Sequence, residues 1–458
     1  MSTTHDDPKL RDAYDLVVLG AGNCGQAAAG IARAAGQSVL IVESRAVGGT
    51  CPLRGCVPKK VLVAAGEVLE AIRRAPEHGI TVGPATVDWA KLIDREQGFV
   101  RGVPEQMEES LTKRGIDVAH ARASFTARDT LDVGGKAITA KKFAICTGST
   151  QRALHIAGED RMVTSDQLLE DPVLPASIAF VGAGVIALEF AHVMARAGVK
   201  VTLLHNGARP LPRHEVACVD LLVAETRTLG VDLVTEAKVV AVEPLGQRHR
   251  VRYEAKGKSV TLDVDRVVNS AGRVADVIGL GLDVAQIAHE KERILVDEHL
   301  RSTSRPDVFV GGDAAAGRPQ LSALATYDGK IIGHNLTKPD LRTADFSWIP
   351  SVIFTHPTLA TVGLTEAAAK KAGRDVEIKE NDMRSWRSAR TYAETAAYAK
   401  VLIDRGSGKL VGAHVLGHGG AETIHAFALA MKLGLRASDL KDFVYAYPTF
   451  HSDVAHLV

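Results

Sequence analysis

An α/β fold of several domains follows from three observations on the 458-residue sequence. A strand–glycine turn–helix–strand unit occurs twice, from Asp15 to Glu43 and from Ser177 to Leu204. Beyond about Ala344, strands mix with one long helix in the manner of an α+β domain. The length exceeds what one hydrophobic core spans, which sets two to four domains as the expectation.

In the first unit an apolar strand, Asp15 to Leu19, runs into Gly20-Ala21-Gly22-Asn23-Cys24-Gly25 and a small-residue helix to Ala35. Gly20, Gly22 and Gly25 permit a tight turn, close approach of backbone to a pyrophosphate, and close helix packing. The anion then lies at a helix N-terminus, where free N–H groups and the helix dipole attract it. The next strand, Ser38 to Val42, ends at Glu43, placed to accept hydrogen bonds from a ribose. The pattern is that of a Rossmann-like dinucleotide-binding domain. Between the two units, Lys60 to Arg74 reads as a helix and Ile138 to Ile145 as a strand ending at Thr147-Gly148.

The second unit carries Gly182, Gly184 and Ala187, an alanine the fingerprint permits. Its closing strand, Lys200 to Leu204, ends in His205-Asn206-Gly207, with Arg209 and Arg213 just behind. An acid there would repel a 2′-phosphate and an arginine would attract it, so NADPH is expected ahead of NADH. Two such units imply two dinucleotides that exchange electrons. Further on, Val239 to Val268 alternates as an antiparallel meander, and Asp307 to Gly312 reads as a buried strand with an acidic tip at Asp313. Strands at Ser351 to Thr355, Ala399 to Asp404 and Leu410 to Leu416, and a helix from Ala421 to Leu433, form the end region.

The net charge is +1, which gives no electrostatic reason to expect nucleic acid or a membrane surface as partner. No apolar run is long enough to span a bilayer. The polar, acidic start, Met1 to Leu10, lacks the features of a secretory or transit segment, so a cytoplasmic protein is expected. Five cysteines are too few for a disulfide scaffold. Cys24, Cys146 and Cys218 have no pairing or metal-ligand spacing and read as structural, and no metal site is expected.

Residues 48–60, GGTCPLRGCVPKK, stand apart. Cys51 and Cys56 are separated by four residues including Gly55, so the chain can fold back to join them. Pro58 fits the first turn of the following helix, which places Cys56 near its N-terminus. That position, with Lys59 and Lys60 nearby, stabilises a thiolate, the species that attacks disulfides.

This segment resembles the redox-active signature of the pyridine nucleotide–disulfide oxidoreductases, the family of glutathione reductase, dihydrolipoamide dehydrogenase, trypanothione reductase and mercuric reductase. The resemblance runs over nearly the whole chain. It implies an FAD site at Gly20, Gly22, Gly25 and Glu43, with Gly49, Thr50 and Lys59 beside it. Thr147-Gly148, Gly272-Arg273 and Gly312-Asp313 match the connecting segments, with Asp313 on the ribityl–phosphate part. Gly182, Gly184, Ile186 and Glu189 match the nicotinamide nucleotide site, to which Asn206 and Arg209 are joined. The implied organisation is a discontinuous FAD domain (1–148 and 271–343), an NAD(P) domain (149–270) and an interface domain (344–458) that makes a homodimer. That last domain opens at Phe354-Thr355-His356-Pro357 and Val362-Gly363.

The resemblance also assigns roles. Cys51 is the interchange thiol and Cys56 the charge-transfer thiolate against the flavin, while Lys59 and Glu189 form a pair beside the flavin N5. Val185 stands where glutathione reductase-like members often carry a tyrosine over the flavin. The sequence departs from the family near its C-terminus, where Tyr447 replaces the acid–base histidine of His-Pro-Thr. Ser452 replaces the family's glutamate, with Asp453 one place further on. Tyrosine donates a proton but is a poor base at neutral pH. Tyr447 or His451 is therefore the candidate donor, and the two share a face only if the stretch is helical. The terminal cysteine pair of mercuric reductases is missing, which disfavours mercury as substrate. The implied activity is NAD(P)H-dependent reduction of a small disulfide, with Arg54 near the selecting loop. A quinone or oxygen reductase, a dihydrolipoamide dehydrogenase-type enzyme and a flavin-bearing redox sensor stand as alternatives.

Overall fold

The computed structural model describes residues 10–458 except Glu292 and Pro339. Residues 1–9, most of the segment behind the expectation of a cytoplasmic protein, lie outside the described residues. Among those described, no helix is long and apolar enough to cross a membrane.

The chain divides into two compact units. One comprises the chain up to Lys59, Arg95–Arg152 and Arg273–Asp345; the other comprises Lys60–Asp94, Ala153–Gly272 and Phe346–Val458.

The first unit is organised by a seven-stranded sheet. Strand β1 (Ala13–Leu19) lies at its centre, parallel to β2 (Val39–Glu43) and to Lys136–Ile145. Asp117–His120 extends the sheet beyond β2, and Val308–Val310 runs parallel to the end of Lys136–Ile145. Strands buried on both faces read as near-continuous apolar runs, as β1 and β2 do. Helix α1 (Asn23–Ala34) packs through Ala28, Ala29 and Ala32, all fully buried, so small side chains let it approach the sheet closely. Two further helices follow β2: α2 (Thr50–Arg54) and α3 (Cys56–Arg74), separated by Gly55 alone.

The second unit contains a four-stranded parallel sheet in the order Asp232–Val234, Lys200–Leu204, Ser177–Val181, Arg266–Asn269. A three-stranded antiparallel sheet is built from Ala237–Leu245, Arg248–Ala255 and Lys258–Val264. The expected meander therefore stops at Val264: Val267 and Val268 are fully buried in the parallel sheet, where β-branched residues suit a strand covered on both faces. The third sheet has five strands, and two of them, Leu359–Gly363 and Val376–Asp382, were not anticipated. Val376–Asp382 is a polar edge strand whose period is masked by charge, with the burial expected of an edge. Residues 60–94 belong here because Leu62, Val63, Trp89 and Ile93 pack into one core with Phe180, Leu188, Leu359 and Leu416.

Candidate active site

The two glycine turns take the same geometry. Gly20 (φ +103°) and Gly182 (φ +111°) sit in a conformation that side chains rarely adopt, and a Cβ on either would strike a carbonyl oxygen, of Cys146 at 2.3 Å and of Ser270 at 2.4 Å. Gly25 is equally constrained, since a Cβ there would lie 1.9 Å from the Gly20 oxygen. Gly22 and Gly184 differ. Both are extended (φ −79° and −84°), a conformation open to any residue, and both immediately precede a helix. A Cβ on Gly184 would meet nothing within 4 Å, and one on Gly22 only Gly49 Cα at 3.8 Å. Neither the backbone nor the packing of the chain requires glycine at these two points. A pyrophosphate approaching the helix N-terminus does.

The groups around the first turn also fit a dinucleotide. Glu43 is 8% exposed, and its carboxylate accepts from the backbone N–H of Ala21 at 2.8 Å and of Arg45 at 2.9 Å, which fixes it at the strand end. Gly49 (φ +75°) closes against Gly22. Thr147 Oγ1 is buried without a hydrogen-bond partner, beside Gly148 (φ +72°). Asp313 accepts from Ser149 Oγ at 2.7 Å, and burial pushes its carboxyl pKa up. Ser149 in turn accepts from Arg273 Nε at 2.9 Å. The polar chain Arg273–Ser149–Asp313 thus ties together two of the connecting segments, and Ser149 was not anticipated.

The cysteine pair stands at two successive helix starts, Cys51 in the first turn of α2 and Cys56 as the first residue of α3. Both are free thiols, Cys51 half-buried and Cys56 exposed. Cys51 is drawn down to about 6, first by the hydrogen bond from Cys56, then by the side chains of Ser322 and Asn23 and the charge of Lys59, with burial opposing. Cys56 is pushed up, first by its hydrogen bond to Cys51 and also by the Cys51 charge. The side-chain donors Ser322 and Asn23 converge on Cys51. Asn23 Nδ2 donates to Ser322 Oγ at 2.7 Å, so the first residue of α1 and the first residue of the helix Ser322–Thr337 are joined beside the thiolate. No motif in the sequence marks either residue. Lys60 does not serve the pair: its ammonium meets Glu67 Oε1 at 3.0 Å and lies over the Phe354 ring. Lys59 is half-buried in the first turn of α3, where its charge acts on both thiols. Arg54 closes α2.

The remaining cysteines are buried free thiols. Cys24 and Cys146 are 122 residues apart in sequence, yet their sulfurs meet at 3.2 Å in the interior. The Cys146 contact and burial push the Cys24 thiol up, which keeps it protonated and unreactive. Cys218 is fully buried and its thiol is pushed up by burial.

In the second unit, Glu189 is 4% exposed, and its Oε1 accepts from the backbone N–H of Phe354 at 2.8 Å, so it is not a helix-surface acid. Ile186 is half-buried one turn earlier, and Val185 is exposed. Gly272 (φ +115°) turns the chain after Arg266–Asn269. His205 Nε2 contacts the Arg209 carbonyl at 2.9 Å, which folds the loop back on itself. Arg209 Nε is buried without a hydrogen-bond partner, while Asn206 and Arg213 are exposed. His356 is held by structural contacts, its backbone N–H to His192 Nδ1 and its carbonyl from Arg196 Nη2 at 2.9 Å.

Tyr447 is 69% exposed, and its hydroxyl accepts from Arg387 Nη1 at 2.7 Å. His451 lies in a 3-10 turn, Phe450–Asp453, capped by the Thr449 hydroxyl. The helical stretch begins after Tyr447, so His451 does not share a helical face with it. Ser452 is spent on that cap, donating to the Thr449 carbonyl at 2.6 Å. Asp453 turns away to His418, with Oδ2 and Nε2 2.5 Å apart.

Residues 14–329 match the family model described as pyridine nucleotide-disulphide oxidoreductase, and residues 349–458 match that family's dimerisation domain. Mercuric reductase of Staphylococcus aureus is 31% identical over 95% of this chain and 80% of its own length. Glutathione reductase of Burkholderia cepacia is 31% identical over 97% of this chain and 98% of its own. Among solved structures, the HOCl-induced flavoprotein disulfide reductase RclA of Escherichia coli superposes with a TM-score of 0.85 at 26% identity, covering 97% of this chain and 99% of that one. With two glycine turns, a cysteine pair at successive helix starts and matching family models over nearly its full length, the chain belongs to the pyridine nucleotide-disulphide oxidoreductase family.

Proposed function

We propose that this chain reduces a small, low-molecular-weight thiol disulfide with electrons from NADPH through FAD, working as a homodimer. The observation that carries the reading is the Cys51–Cys56 dithiol at two successive helix starts, with Ser322, Asn23 and the Lys59 charge acting on Cys51. FAD, when bound, supplies two-electron transfer between nicotinamide and dithiol. The chain holds its pyrophosphate at Gly20, Gly22 and Gly25, its ribose at Glu43 and its ribityl–phosphate part near Asp313. Lys59 serves the flavin end, and the turn at Gly182 and Gly184, with Ile186, Asn206 and Arg209, takes the nicotinamide nucleotide. The partnerless Arg209 Nε and the absence of an acid after Leu204 support NADPH ahead of NADH.

In the exchange step the Cys51 thiolate attacks one sulfur of the substrate, forming a mixed disulfide and expelling a thiolate. Tyr447 of a second copy protonates that thiolate. The Cys56 sulfur then attacks Cys51, releasing the second thiol and restoring the Cys51–Cys56 disulfide. The dithiol is oxidised by two electrons and the substrate disulfide is reduced by the same two.

An anaerobic titration with NADPH and with NADH, followed by a panel of disulfides and quinones, tests the reading. One disulfide is expected to turn over rapidly with NADPH as the better donor. Turnover of quinones alone, or of nothing, overturns it, and a strong NADH preference overturns the nucleotide assignment. Tyr447→Phe is expected to lower disulfide kcat by about a hundredfold, the low end of what a proton donor contributes. Unchanged turnover removes Tyr447 from the reaction.

A further inference from the structure

The segment carrying Tyr447 is fastened by a cluster that the exchange step does not itself use. His418 is fully buried and held at φ +54°, a conformation rare for a side-chain-bearing residue. Its backbone N–H donates to both carboxylate oxygens of Glu394, at 3.1 and 3.0 Å. Its Nε2 meets Asp453, and the Ser388 hydroxyl contacts both the same Asp453 oxygen and His418 Nε2. The His418 ring lies edge-on to Phe450, with centroids 4.8 Å apart, so the turn that follows Tyr447 is clamped from two sides. Burial lowers the His418 pKa, while its hydrogen bond to Asp453 opposes the shift.

Ser388 belongs to a five-residue helix, Arg387–Thr391, and its neighbour Arg387 is the residue that reaches the Tyr447 hydroxyl. One short helix therefore grips the C-terminal segment twice, once in the interior through Ser388 and once at the surface through Arg387. An exposed arginine–phenol contact is worth little by itself, because water competes for both partners. The buried clamp changes this by fixing both backbones, so that little further freedom is lost when the contact forms. The direction of the bond also matters. The guanidinium can only donate, so the phenol oxygen accepts from it and the phenol keeps its own hydrogen to give elsewhere.

We propose that Arg387 is the positioning residue for Tyr447: it aims the phenol as a proton donor and neutralises the phenolate left when the proton passes to the departing thiolate. The Ser388–Asp453–His418 cluster holds the two in register. The inference rests on the role given to Tyr447 above. In the step itself the substrate thiolate takes the Tyr447 proton and leaves as a thiol. The phenolate is then paired with the Arg387 guanidinium through a charge-assisted hydrogen bond until solvent returns a proton. No electrons move in this transfer.

The test is a double-mutant cycle on the FAD-loaded enzyme, with Arg387→Met, Tyr447→Phe and the double variant, and Arg387→Lys as the rescue. Flavin content, melting temperature and the rate of flavin reduction by NADPH serve as controls, because none of them involves the proposed pair. Arg387→Met is expected to lower disulfide kcat about tenfold with those controls unchanged, a fraction of the hundredfold given to the donor itself. Arg387→Lys, which keeps a charged donor, is expected to recover most of the loss. In the Tyr447→Phe background, Arg387→Met is expected to have less than about a twofold further effect, as for two residues that act as one unit. Independent, multiplying losses overturn the pairing while leaving Tyr447 as donor. A Tyr447→Phe enzyme with full turnover overturns the donor role itself, and the pairing with it. Equal damage from Met and Lys at position 387 also overturns the proposal, because a guanidinium serving charge and direction is partly replaced by an ammonium.

Discussion

Replacing Cys51 with serine is expected to lower NADPH-driven disulfide turnover by about a thousandfold or more, as loss of a reacting nucleophile does. Reduction of the flavin by NADPH is expected to continue. Cys56→Ser is expected to be nearly as slow in turnover but to differ in what accumulates. Cys51 still attacks the substrate in that variant, and the mixed disulfide has no resolving thiol, so intact mass rises by one substrate thiol. The Cys51→Ser enzyme gains no such mass. The asymmetry follows from where the charge sits: Ser322, Asn23 and the Cys56 thiol all stabilise a thiolate on Cys51. With Cys51 drawn down to about 6, alkylation of the two-electron-reduced enzyme is expected to switch on as pH rises through about 6. An unperturbed thiol would switch on near pH 8.5. Mass gain on the Cys51→Ser variant would show that Cys56 is the outward nucleophile, and an alkylation midpoint near that of a free thiol would show that no thiolate is stabilised on Cys51.

The parts of this site that the sequence makes legible are those whose chemistry is local. A glycine turn between strand and helix, and two cysteines spaced so that the chain folds back, carry their geometry within a dozen residues. Gly20, Gly182 and the Cys51–Cys56 pair lie where that logic places them, each at a strand end or a helix start. What stays hidden is convergence over long separations. Ser322 reaches Asn23 across 299 positions, and Ser149 reaches Asp313 across 164. No period or motif marks either serine, since a hydroxyl at the start of a short strand or of a helix is unremarkable until its partner arrives. Cys24 and Cys146 meet for the same reason, through the parallel pairing of Lys136–Ile145 with β1. Lys60 shows the opposite error: closeness in sequence to Cys56 implied a role, but one residue along α3 turns a side chain by 100°, towards Glu67. At the C-terminus, His451 was linked to Tyr447 by helical spacing, and the turn that begins at Phe450 breaks that link.

Gly184 offers the sharpest separation of the two dinucleotide sites. The first glycine of each turn is demanded by the protein, since Gly20 and Gly182 have positive φ and their would-be Cβ atoms strike backbone. Changing either therefore confounds folding with binding. Gly184 carries no such demand: its φ of −84° suits valine, and a Cβ there meets no atom of the chain within 4 Å. Gly184→Val is accordingly expected to fold, to keep its melting temperature and to remain fully yellow with FAD, because the first turn is untouched. Its KM for NADPH is expected to rise about 10- to 100-fold, the effect of one or two misplaced carbon groups in a close-fitting site. At saturating NADPH, disulfide turnover is expected to recover, which separates a blocked approach from damaged chemistry. Stopped-flow reduction of the flavin over a range of NADPH concentrations reads this directly. An unchanged concentration dependence would mean that the nucleotide does not approach the helix Val185–Arg196 at its N-terminus. A colourless enzyme would mean instead that the two turns are not independent. The matched replacement Gly22→Val completes the comparison: its Cβ would stand 3.8 Å from Gly49 Cα, close to tolerable within the chain, yet it is expected to cost FAD rather than NADPH.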